Sequence, residues 1–112
     1  MSDGTQFVNQ ITFLRNGMTP DITGLAMALF IEVATHKGGV PVSRLLEKFD
    51  LSPSTCSRNI YLLSSGLVRT NDPGRKGLGL IRTERPLNDR RSLMVFLTPK
   101  GQQLAKAFRE VK

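Results

Sequence analysis

Three hydroxyl–proline pairs, Thr19-Pro20, Ser52-Pro53 and Thr98-Pro99, punctuate this chain of 112 residues. A Ser or Thr side chain accepts a hydrogen bond from an unpaired amide at a helix start, and proline suits the first helical position, where no N–H is needed. Each pair therefore predicts the beginning of a helix, and each is followed by apolar residues at helical spacing. After Thr19-Pro20-Asp21 these are Ile22, Leu25, Ala26, Leu29, Phe30 and Val33, closed by Lys37 and Gly38-Gly39. After Ser52-Pro53, Cys56, Ile60 and Leu63 share one side of a helix that runs to about residue 65, with Gly66 as its stop. After Thr98-Pro99, Leu104, Phe108 and Val111 form a single stripe.

Two further helices lack a hydroxyl–proline pair, although the second follows Val40-Pro41. Residues 5–15 place Phe7, Ile11 and Leu14 on one face and stop at Gly17, and Val42, Leu45, Leu46 and Phe49 repeat the pattern briefly as far as Asp50. Residues 80–85 and 92–97 are strand-like, and Pro86, Leu87, Asn88, Asp89 and Arg90 between them have the composition of a hairpin tip. The expected order is ααααββα, an α+β architecture that is mostly α. A chain this short fits one domain, residues 1–112, better than two independent cores.

Composition narrows the function. Sixteen Lys and Arg against nine Asp and Glu give a net charge of +7, which favours a polyanionic partner. Five of those seven charges come from residues 58–91, where Arg58, Arg69, Arg75, Lys76, Arg82, Arg85, Arg90 and Arg91 face only Asp72, Glu84 and Asp89. One cysteine, Cys56, and one histidine, His36, cannot supply a zinc cluster, and no cofactor or metal is expected. Cys56, on the apolar side of its helix, reads as a core thiol, and His36 as a residue stabilising a helix end. There is no carboxylate pair or nucleophile with a base, and Gly74-Arg75-Lys76-Gly77 lacks the spacing of a phosphate loop, so no enzyme is expected. No apolar run would span a membrane, and Met1-Ser2-Asp3-Gly4 is unlike a signal peptide, which points to the cytoplasm.

Two short helices joined by Phe49-Asp50-Leu51-Ser52 have the makings of a helix-turn-helix, residues 42–65, with the strand pair at 80–97 as a wing. The outer face of the second helix carries Ser54, Thr55, Ser57, Arg58 and Tyr61. Small polar residues let a helix approach base edges in the major groove, and an arginine such as Arg58 can bond a guanine through two hydrogen bonds. A plain capped surface helix would show the same capping residues; the basic hairpin beside it favours DNA.

The stretch Asp89-Arg90-Arg91-Ser92-Leu93-Met94-Val95-Phe96-Leu97-Thr98-Pro99-Lys100-Gly101 resembles the wing signature of the MarR family of winged-helix regulators, D-x-R followed five residues later by L-T-x-x-G. The likeness reaches back through Leu45-Leu46, Leu51-Ser52 and Ser64-Ser65-Gly66-Leu67-Val68, covering about residues 19–108. It implies a wing in which Arg91 enters the minor groove, steadied by Asp89, with Arg90 beside them; a simple surface ion pair is the alternative for Asp89 and Arg91. It also implies a homodimer, for which Phe7, Val8, Ile11, Leu14, Leu104, Phe108 and Val111 are the available apolar residues, although the sequence has only one short helix after the wing. The same residues could instead close a monomer's core.

Residues 70–79 look longer than the family needs, and Arg75 and Lys76 there either contact phosphates or sit in a solvated insertion. No residues matching a family effector site are identified. The expected function is sequence-specific binding of double-stranded DNA by a homodimeric transcription regulator, most simply a repressor. The alternative is a winged helix that docks on a polymerase or replication complex.

Overall fold

The computed structural model describes residues 4–64, 77–85 and 93–112. The elements are α1 (Thr5–Gly17), α2 (Gly24–Ala34), β1 (Val40–Pro41), α3 (Val42–Lys48), α4 (Pro53–Leu63), β2 (Ile81–Glu84), β3 (Met94–Leu97) and α5 (Pro99–Glu110). Helix α2 is apolar almost all round, which suits a helix enclosed on every side. It supplies Ala26, Met27, Leu29, Phe30 and Val33 to the core, where they meet Leu14, Leu45, Cys56, Leu63, Ile81, Val95 and Ala105 from the other helices and from β2 and β3. No helix among the described residues is long and apolar enough to cross a membrane.

Two of the three hydroxyl–proline pairs cap helices as expected. The Ser52 hydroxyl accepts from the Thr55 amide at 3.2 Å, and that of Thr98 from the Gly101 amide at 3.1 Å. The first pair does not. Helix α2 begins later, at Gly24, because Thr23 caps it by accepting from the Ala26 amide at 3.1 Å. Thr19-Pro20 instead opens a turn in which the Ile22 amide donates to the Thr19 carbonyl at 3.0 Å. Proline suits the second position of a turn as well as a helix start, and this turn drives Ile22 into the core.

The sheet has the order β1-β3-β2, antiparallel throughout. Strand β1 was not expected from sequence: it is two residues long, pairing Val40 with Val95 and Pro41 with Met94. Its proline sits on an edge strand, where a missing amide is tolerated. Gly39 just before it has φ +89°, and a Cβ there would lie 2.5 Å from the Phe96 ring, so a larger residue would both strain the backbone and displace that ring.

The Leu97-Thr98-x-x-Gly101 part of the signature is structural. The Thr98 amide donates to the Leu80 carbonyl at 3.0 Å and its hydroxyl to the Gly79 carbonyl at 2.6 Å. Gly101 allows the close approach, because a Cβ there would stand 2.0 Å from the Leu80 oxygen.

Candidate nucleic-acid interface

Helix α3 ends in a Schellman motif: Asp50 takes the left-handed conformation (φ 51°), its amide donates to the Glu47 carbonyl, and the Leu51 amide donates to the Leu46 carbonyl at 3.0 Å. One residue later, Ser52 caps α4. The two helices therefore meet in a helix-turn-helix arrangement, at a corner in which nearly every residue is hydrogen-bonded. The far end of α4 is tied as well. Its terminal carbonyls, Leu62, Leu63 and Ser64, accept from the amides of Leu78, Leu80 and Gly79 at 2.8–3.1 Å. Residues 77–79, the end of the stretch whose role the sequence left open, thus bind α4 to the wing strand and the start of α5. Residues 70–76, Arg75 and Lys76 among them, lie outside the described residues.

Cys56 and Leu63 bury one side of α4, while Ser54, Ser57, Arg58 and Tyr61 are exposed on the other. Tyr61 is 51% exposed, unusual for a large aromatic residue in a chain with so little aromatic content. Thr55 is half-buried and belongs to the cap: its hydroxyl accepts from that of Ser52 at 2.9 Å. The Ser54 hydroxyl also lies within hydrogen-bond distance of that of Ser52, at 3.2 Å, although Ser54 itself is exposed. Helix α4 contains no acidic residue.

On β2, Arg82 stacks over the ring of its cross-strand partner Phe96, 4.6 Å from the centroid, and pairs with Glu84. Both interactions hold the guanidinium on the outer surface of the sheet. The wing-tip candidates Asp89, Arg90 and Arg91 lie outside the described residues.

One charged group was missed entirely. Glu32, in the apolar run of α2, is 7% exposed, and Lys48 grips both its oxygens at 2.8 and 3.0 Å. Arg44 approaches at 3.6 Å and His36 at 3.4 Å. The Lys48 ammonium holds the Glu32 carboxyl below its ordinary value of 4.5, against the opposing effect of burial. A depressed carboxyl stabilises the fold above that ordinary value, and the contribution is lost as the pH falls through the folded value. The sequence signal was a lone acid among apolar residues. His36, expected to stabilise the end of α2, lies just past that end with its Nε2 3.4 Å from this carboxylate. Burial raises the Cys56 thiol, in keeping with an unreactive core cysteine.

The residues considered for a dimer divide. Phe7 and Val8 are 65% and 59% exposed. Ile11, Leu104 and Phe108 are half-buried where α1 lies along α5, and Gln10 donates from its side chain to the Phe108 carbonyl at 3.3 Å. Leu14 has to be withdrawn from that set: it is 0% exposed, enclosed by the chain's own core, and offers no surface to a second copy.

On the same face of the sheet as the Arg82–Phe96 pair, a cleft of about 520 Å³ opens between the end of α2, β2, β3 and α5. Its lining includes His36, Lys37, Arg82, Lys106 and Arg109 and no acidic residue.

No protein-family model matches the sequence, and no curated protein matches it either. Solved structures do match the fold. The S. aureus MepR–DNA complex superposes with a TM-score of 0.69 at 18% identity, covering 92% of this chain and 72% of MepR. A structure of MarR gives 0.65 at 15% identity, covering 96% and 65%, and a MarR transcriptional regulator from Methanosarcina mazei Go1 gives 0.64 at 22%, covering 93% and 66%. The chain thus spans just under two thirds of the latter two proteins. It has the winged-helix fold of the MarR-type regulators.

Proposed function

We propose that this chain is a MarR-type transcription regulator that binds double-stranded DNA, acting as a homodimeric repressor that occludes its site. The observation carrying this reading is the exposed, acid-free face of α4, held at both ends and presenting Ser54, Ser57, Arg58 and Tyr61. A major groove admits such a face, and Arg58 is free to bond a base edge because no group among the described residues pairs with it. Thr55 contributes its methyl group and the cap. The wing residues Asp89, Arg90 and Arg91 add minor-groove and phosphate contacts, and Arg75 and Lys76 add phosphate contacts. The likeness in fold to MepR, solved as a complex with DNA, supports this reading.

In the dimer, Phe7, Ile11, Leu104 and Phe108 pack against the second copy. That arrangement sets two α4 helices on successive turns of the duplex, roughly 34 Å apart. The direct test is selection of duplexes from a random library, followed by titration at increasing salt. Binding should weaken steeply as salt rises, because phosphate neutralisation releases counterions. Arg58→Ala should reduce affinity for the selected duplex by about 1–3 kcal/mol without changing the melting temperature. A chain that selects no duplex, stays monomeric and captures a polymerase or replication protein would replace this reading with the docking module.

A further inference from the structure

We infer that Glu32 is a positioning residue for the DNA-reading helix: by clamping Lys48, the last residue of α3, it fixes the α3–α4 corner against the core helix α2. The inference rests on the DNA-binding reading of α4.

A carboxylate buried in an apolar helix is costly unless it is paired, and an apolar residue of similar size would serve packing as well or better. What the acid adds is direction. Lys48 bonds both oxygens, at 2.8 and 3.0 Å, which fixes the ammonium on the carboxylate plane more closely than a single contact would. Arg44, one helical turn earlier on α3, reaches the same carboxylate at 3.6 Å. Two attachment points on one helix resist its rolling as well as its sliding.

That restraint is passed on. Lys48 directly precedes Phe49 and the left-handed Asp50, whose amide bonds back to α3, and Ser52 then caps α4. A roll of α3 therefore displaces the leading residues of α4, Ser54 and Arg58 among them. Hydrogen bonds to base edges are strict in distance and angle, whereas phosphate contacts by long cationic side chains tolerate small shifts. Loosening the clamp should thus cost recognition of a chosen sequence more than attraction to DNA in general.

The experiment measures affinity of the full chain for two probes, a duplex selected by the protein and an unrelated duplex of equal length. Glu32→Gln keeps the shape and raises the net charge by one, so electrostatics alone would tighten both complexes. Positioning predicts the reverse for the selected duplex, a loss of about tenfold, with the unrelated duplex bound at least as well as before. Lys48→Met carries the same test if Glu32→Gln melts early, since its side chain is half-exposed. Its ratio of the two affinities should fall in the same way, and Lys48→Arg should restore it. The double variant should lose no more selectivity than the worse single one, because both remove the same clamp. An unchanged or tighter selected complex for Glu32→Gln, or equal losses on both duplexes for Lys48→Met, overturns the inference. A wild-type chain that selects no duplex overturns the DNA-binding reading itself, a separate and recognisable failure.

Discussion

Helices α4 and α1 are both amphipathic and of comparable length, yet the chain secures them in opposite ways. Helix α4 is tied through its own backbone groups: the short Ser52 hydroxyl on the Thr55 amide at one end, and at the other the amides of Leu78, Gly79 and Leu80 on its last carbonyls. Helix α1 follows Gly4, which has no side chain with which to cap it, and it meets the last residues of α5 and beyond through side-chain amides. Gln6, Asn9 and Gln10 donate to the carbonyls of Val111, Lys112 and Phe108. It leaves Phe7 and Val8 in solvent. Backbone amides and a serine hydroxyl are short and admit one geometry, whereas long amide side chains accept several. The element that would read a rigid partner is fixed, and the one that would meet another protein chain keeps latitude and uncovered apolar area.

The contrast can be broken most forcefully at Gly101. Gly101→Ala drives a Cβ to within 2.0 Å of the Leu80 oxygen, in the segment that ties down α4, and should cost about 3 kcal/mol or more of stability. Urea unfolding checks this, and a loss below about 1 kcal/mol would mean that the segment yields easily. Ser52→Ala removes the cap of α4 and frees the Thr55 hydroxyl; the same titration should show a loss of about 1 kcal/mol. Phe7→Ser, on the exposed face of α1, should alter the unfolding free energy of the monomer by only about 0.5 kcal/mol or less. In sedimentation equilibrium the same substitution should weaken a homodimer built on this face, and an unchanged dimer would place the contact elsewhere.

What could be read from the sequence was local. Caps and 3.6-residue periodicity located α1, α3, α4 and α5, and strand-like segments flanking a hairpin-tip composition located β2 and β3, because each signal lies within a dozen residues of the structure it specifies. Strand β1 was hidden because its partner Val95 lies far along the chain from Val40 and its own signal is two residues long. The start of α2 was misplaced because Thr19 and Thr23 are both competent caps, and only the burial of Ile22 decides between them. Leu14 illustrates a related difficulty: periodicity assigns a residue to the apolar face of a helix but does not say whether that face meets the same chain or another one. In the candidate site, the α4 face was legible residue by residue, while the engagement of Thr55 depended on hydroxyl geometry. Glu32 escaped notice because its cations come from a neighbouring helix. The wing-tip residues Asp89, Arg90 and Arg91 lie outside the described residues, so the part of the wing signature with a structural account is Leu97, Thr98 and Gly101. Those three maintain the scaffold.

The corner at Asp50 has a kinetic consequence. A glycine would adopt φ 51° more readily, but it would also leave the unfolded chain freer there, so aspartate gives up less disorder when the corner forms. Together with the amide bonds to Glu47 and Leu46, this means the bend between α3 and α4 exists before any partner arrives. A partner that docked on α4 would have no loop to organise at that point, and its rate of capture would be set by encounter and orientation rather than by waiting for this helix to assume its shape.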